Sequence, residues 1–167
     1  MDNELAASFK KTVIPVEMLE KVKGDAEEHY RQLKSVICPY FEKEVAFNSK
    51  GLNHIKFKGW QRARSVNEQY VRLKLLPLVP IALSRSATLQ GYAVQEKKIR
   101  KKNFGTWGEI FQKIFYYEFI YVHKEKVRIK VIVRKDGHGE YYFYSVIPFW
   151  KMGGERKKLF EGNPEED

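Results

Sequence analysis

VRIKVIVRK-DGHG-EYYFYSVIPFWK, residues 127–151, reads as two strands around a tight turn. Val127, Ile129, Val131 and Val133 fall on one face of the first strand, and Arg128, Lys130, Ile132 and Arg134 on the other. Such alternation marks an antiparallel strand with one face buried. Asp136-Gly137-His138-Gly139 supplies the hairpin signal. An even-numbered loop sets Lys135 opposite Glu140, Arg134 opposite Tyr141 and Lys130 opposite Ser145. Arg128, Lys130, Arg134, Tyr141, Phe143 and Ser145 then share one face, and the valines meet the core with Tyr142, Tyr144 and Val146. A slip of one residue would exchange the faces and carry Ser145 inward. Cations interleaved with rings suit a phosphate backbone and unpaired bases; the alternative is a solvated sheet face.

Around this hairpin lies a chain of 167 residues, 43% hydrophobic and 31% charged, the size and mix of one globular domain. Its formal net charge is +10, a balance that favours polyanionic partners. The last seven residues, EGNPEED, carry Glu161, Glu165, Glu166 and Asp167, so the rest of the chain is more basic still. Nothing resembles a signal peptide or a membrane span. Cys38 is the single cysteine, which makes a disulfide framework impossible and the cytosol the expected compartment.

The chain divides into a helical lead (1–40), an α+β body (41–152) and an acidic, flexible tail (153–167). Residues 1–13 read as weakly ordered. Pro15 opens a helix that Gly24 breaks; Asp25 and Glu28 begin another, carrying Ala26, Tyr30, Leu33 and Ile37 to Pro39. A short extended piece, Glu44 to Asn48, precedes a helix capped by Asn48 or Ser49. On it Lys50, His54 and Lys58 recur at a spacing of four, which sets them on one face. Flanking cations disfavour the imidazolium of His54, and a neutral histidine beside phosphate is what a general base requires; a surface or capping histidine is the plain alternative. GWQRAR (59–64) reads as a basic loop in which Arg62 and Arg64 are phosphate contacts or solvated charges. Ser65 and Glu68 form a capping box for an apolar helix divided by Pro77 and Pro80. EKKIRKK (96–102) reads as a flexible basic loop or a positive arm, with a turn at Gly105 to Gly108. Residues 110–123 form an aromatic strand; the length of the turn after it decides whether His123 lies beside Arg128. The expected fold is therefore α+β, N-terminal helices packed on a small antiparallel meander.

No phosphate-binding glycine motif, metal-ligand spacing or paired-carboxylate set is present in the sequence. Catalysis, if any, falls to His, Arg, Lys, Tyr and Ser, and no metal or cofactor is expected.

FNSKGLNHI (47–55), RSVNEQYVRLKLLPL (64–78), TLQGY (88–92) and the hairpin 127–151 together resemble the nuclease superfamily of barnase, EndoU, colicin D and RelE, in its phage-associated branch. The resemblance spans about residues 40–151. It implies RNA cleavage without metal, a base helping the 2′-hydroxyl attack the adjacent phosphate. It implies catalytic roles for His54, Arg134 and Ser145, with Lys50 or Lys58 beside the histidine and Trp150 as a stacking group. Arg62, Arg64, Arg128, Lys130, Tyr141, Phe143 and Lys151 complete the expected RNA contacts. The barnase-type Glu base has no convincing counterpart here, so base and acid stay unassigned. The implied protein is a cytoplasmic toxin or phage-defence endoribonuclease acting on tRNA or mRNA, free or ribosome-bound, with an acidic antitoxin or immunity protein as partner. The alternative is a non-catalytic RNA- or DNA-binding module on the same basic, aromatic face.

Overall fold

The computed structural model describes residues 13–59 and 61–149. Residues 1–12, Trp60 and residues 150–167, which include Trp150, Lys151 and the acidic tail, lie outside it. The fold is α+β. In chain order it comprises α1 (Val16–Gln32), β1 (Ser35–Cys38), β2 (Lys43–Ala46), α2 (Ser49–Lys56), β3 (Phe57–Lys58), β4 (Arg62–Ala63) and α3 (Val66–Leu75). A 3-10 turn (Leu76–Leu78), α4 (Val79–Ser84), β5 (Gly91–Asn103), β6 (Thr106–His123), β7 (Val127–Asp136) and β8 (Tyr141–Pro148) follow. The main sheet has the order β1-β2-β8-β7-β6-β5. β5 to β8 form the antiparallel meander, and β8 joins β2 in parallel through Val45↔Tyr141 and Ala46↔Tyr142. β1, before residue 40, pairs along its length with β2, so the lead and the body share one sheet. No helix among the described residues is long and apolar enough to cross a membrane.

The helices cover one face of this sheet. Ile129, Val131, Val133, Phe143 and Val146 meet Leu73, Leu75, Leu76, Val79 and Leu83 there, all buried. Ser65 caps α3 in the expected box with Glu68, and Asn48 caps α2 by accepting from the Lys50 and Gly51 amides.

Three local expectations give way. α1 runs unbroken through Gly24 and ends at Gln32, and Ile37 belongs to β1. A glycine inside a helix costs about 1 kcal/mol. Burial of Leu19, Ala26 and Tyr30 on one stripe outweighs that, at about 1.5–3 kcal/mol for a large apolar side chain. The block 96–102 is ordered strand in β5, paired to β6 from Glu96↔Lys113 to Lys102↔Trp107, because cross-strand pairing overrides the local charge density. Its turn is Phe104-Gly105, both at positive φ, and Trp107 lies in β6 rather than in the turn.

The third correction concerns the hairpin of β7 and β8. Lys135 pairs with Tyr141, Arg134 with Tyr142 and Val133 with Phe143. The loop thus closes one residue out of step with an even-numbered turn, and the faces of β8 exchange. A bulge follows: Ile132 pairs with Ser145 and Val131 with Val146, leaving Tyr144 as the extra residue. A bulge bends a strand and re-aims its side chains. Phe143 and Val146 both reach the helix-side core. Tyr142 and Tyr144, expected there, pack instead with Ile114, Tyr116, Ile132 and Ile147 on the opposite face.

Candidate functional site

β2 stops after two pairs with β8, and α2 takes over the edge of β8. The approach is close: a Cβ on Gly51 would stand 2.3 Å from the Phe143 carbonyl oxygen. This contact seats His54 against Tyr144, their rings stacked with centroids 4.0 Å apart. Arg134 also lies over Tyr144, its guanidinium carbon 5.1 Å from the same ring centroid and 5.6 Å from that of Tyr116. His54 and Arg134, on separate elements, thus converge on one aromatic side chain. They line a cleft of about 610 Å³ with Lys50, Asn53, Phe57, Gln61, Tyr142 and Tyr144.

Asp136 ties the cationic rim together. Its Oδ1 accepts from Arg134 Nε at 2.6 Å, and its Oδ2 from Lys50 Nζ at 3.0 Å and the Tyr142 hydroxyl at 3.1 Å. Burial opposes the Asp136 charge, but the bonds from Arg134 and Lys50 prevail and hold its carboxyl below the ordinary range. Burial likewise opposes the Arg134 charge, and the bond to Asp136 more than restores it, so its pKa is raised and the guanidinium stays charged. Burial is the main cause raising the Tyr142 phenol, which therefore remains a proton donor. Two cations against one carboxylate leave the rim suited to an anion.

Behind the cleft, Arg64 is clamped. It donates from Nε to the His54 carbonyl at 2.9 Å, and its Nη2 stands 3.1 Å from His54 Nε2. A guanidinium can only donate, so Nε2 accepts. The ring is neutral and carries its proton on Nδ1.

Of the residues anticipated from sequence, His54, Arg134 and Lys50 line the cleft. Arg64 is buried and serves the histidine rather than open solvent. Ser145 does not reach the cleft: it is fully buried, and Arg72 of α3 donates to its Oγ at 2.6 Å and to the Val146 carbonyl at 3.3 Å. Phe143 is core. Tyr141 stacks on Phe41, centroids 4.0 Å apart, on the helix-bearing side. Lys130 faces Ile147 rather than Ser145 and is buried in an ion pair with Glu118 at 2.8 Å. Lys58 belongs to β3 instead of α2 and pairs with Glu68 at 2.9 Å. Arg62 lies exposed on β4, and Arg128 is exposed near the far end of β7. The three-residue turn 124–126 sets His123 opposite Val127. Trp150 and Lys151 lie outside the described residues. Asp136, Tyr142 and Tyr144 were not singled out as site residues; a one-residue longer hairpin loop is the alternative that would have brought both tyrosines beside Arg134.

Among the described residues no group of three or more His, Cys, Asp or Glu side chains could hold a metal ion. No family model, curated protein or solved structure matches the chain.

Proposed function

We propose that the protein is a metal-independent endoribonuclease that cleaves RNA by attack of a 2′-hydroxyl on the adjacent phosphate. The observation that carries this reading is the meeting of His54 and Arg134 at Tyr144, in a cleft with a cationic rim. A proton acceptor beside an anchored, permanently charged donor is the minimum that phosphoryl chemistry by organic groups requires. In this mechanism His54 Nε2 parts from Arg64 Nη2, to which it is hydrogen-bonded. The released nitrogen takes the 2′-hydroxyl proton. Arg134 and Lys50 face the charge that develops on the phosphorane, and Tyr142 or Lys50 supplies the proton for the leaving 5′-oxygen. Phe57, exposed at the cleft, offers a surface for a base. Such an activity suits a toxin or phage-defence effector directed at tRNA or mRNA, with an acidic antitoxin or immunity protein covering the basic surface.

The test is incubation of labelled tRNA and a model mRNA with the protein in EDTA. Products ending in 2′,3′-cyclic phosphate are expected, and they should disappear with His54→Ala and Arg134→Ala when both variants melt like the native protein. Undiminished cleavage by both variants would remove His54 and Arg134 from the mechanism.

One observation favours a second reading. The His54 ring is buried, stacked and already bonded at Nε2, as a purely structural histidine would be. In that reading the cleft binds RNA or DNA without cutting it, and the same assay returns intact nucleic acid that shifts on a gel.

A further inference from the structure

β7 accompanies β6 only from Ile114 onward. Residues 96–113 therefore form a two-stranded ribbon beyond the meander, closed by the turn at Phe104-Gly105. Its register sets Lys98 beside Phe111, Arg100 beside Glu109 and Lys102 beside Trp107 on one face. That face is bare: Phe111 is 73% exposed and Trp107 60% exposed. Neither ring belongs to a core cluster. The Arg100 guanidinium carbon lies 5.9 Å from the Trp107 ring centroid, and Lys98 pairs with Glu109.

Isolated two-stranded ribbons are marginal in water, and bare rings on an edge ribbon invite aggregation. These rings contribute little to the fold, so their placement needs another reason. Charge supplies it. The ribbon carries Lys97, Lys98, Arg100, Lys101, Lys102 and Lys113 against Glu96 and Glu109, which repels a second copy and attracts a polyanion. Rings four residues apart on one strand stand about 13 Å from each other, with cations beside and between them.

We propose that this ribbon is a binding surface for single-stranded RNA, stacking unpaired bases on Trp107 and Phe111 and setting Arg100 and Lys102 against the intervening phosphates. The proposal rests on the reading of the protein as one that acts on RNA. It names a separate site. Trp107 and Phe111 continue the face of Phe115 and Tyr117, whereas the cleft lies on the face of Tyr116.

The experiment measures binding of a short, unstructured, fluorescein-labelled 2′-O-methyl RNA to the full chain by anisotropy. This probe lacks the hydroxyl that cleavage needs, so binding is read apart from activity. Trp107→Ala and Phe111→Ala are each expected to weaken binding about tenfold. The double variant Arg100→Gln/Lys102→Gln should weaken it and flatten its salt dependence. The melting temperature should stay native in all of them, because the replaced side chains are exposed. Native affinity in all the ribbon variants overturns the proposal, as does loss of binding in Arg134→Ala alone. Ribbon variants that bind RNA normally but abolish self-association in sedimentation also overturn it and make the ribbon an edge for a second copy. Weakened binding by the ribbon variants, beside a native protein that cuts no RNA, leaves this surface standing and fails the ribonuclease reading alone.

Discussion

Asp136 sets one negative charge against three donors: Arg134 Nε, Lys50 Nζ and the Tyr142 hydroxyl. Asp136→Asn keeps the size and removes the charge, so Arg134 and Lys50 lose their common anchor and repel each other. A misplacement of about 1 Å at such a site costs on the order of 100-fold in rate. That is the loss of RNA cleavage expected for Asp136→Asn, read from initial rates on a labelled substrate. The acid limb follows from the same residue. Its folded carboxyl titrates below the ordinary range, near 3.9 when unfolded. The stability it contributes is fully present above about pH 4 and is lost as the pH falls through the lower folded value. Acid melts of native protein and Asp136→Asn should therefore converge below about pH 4. Arg64 makes a different prediction. Because its Nη2 donates to His54 Nε2, long-range nitrogen spectra of the native protein should show Nε2 as the acceptor and Nδ1 as the protonated nitrogen. Arg64→Ala should release the ring to exchange tautomers; an unchanged spectrum would show that Arg64 does not set the tautomer.

At the scale of elements, α2 and α3 both seal the edge that β2 leaves open on β8. Gly51→Ala drives a methyl into the Phe143 carbonyl, so α2 must lift. Overpacking of this kind costs about 1–3 kcal/mol, measurable by urea unfolding, and it should also loosen His54 from Tyr144. Ser145→Ala strips an acceptor from the buried Arg72 guanidinium. A loss of about 1–3 kcal/mol is expected, with cleavage per folded molecule unchanged; a collapse of activity without loss of stability would return Ser145 to the chemistry. These elements also show what could be read beforehand. The capping box at Ser65 and the cap at Asn48 are local bonds between near neighbours, so the sequence displays them. The helix carrying His54 was legible for the same reason, and the strand carrying Arg134 through its apolar alternation from Val127 to Val133. The register of β8 was not: it depends on a single residue of loop length and on a bulge at Tyr144, and both are decided by which side chains the whole sheet buries. Tyr142, Phe143 and Tyr144 therefore exchange faces relative to the sequence reading, while the bulge returns Ser145 to the face of Ile132, where it is buried and bonded to Arg72 rather than open to the cleft. The strand nature of 96–102 was hidden by its charge, since its partner lies across the turn in β6.

Over the whole molecule, protection should fall away from β7. That strand is paired on both sides and packed against the helices, whereas the ribbon 96–113 is paired only to itself. Amide hydrogen exchange should be slowest at Ile129, Val131 and Val133 and fastest at the ribbon tip around Phe104, with α2 between. Ribbon amides that gain protection when RNA is added would agree with the surface proposed above; equal protection throughout would contradict this gradient.

β8 is the last strand of the described chain, yet it lies inside the sheet, between β2 and β7. On the ribosome, β1, β2 and α2 emerge long before the neighbour they pack against exists. His54 waits for Tyr144, and β2 has no partner but β1 until Tyr141 has been made. Pairings so distant along the chain form late. A nascent chain therefore holds no cleft. If the finished protein cuts RNA, the message that encodes it is translated almost to the end of β8 before its product can do harm.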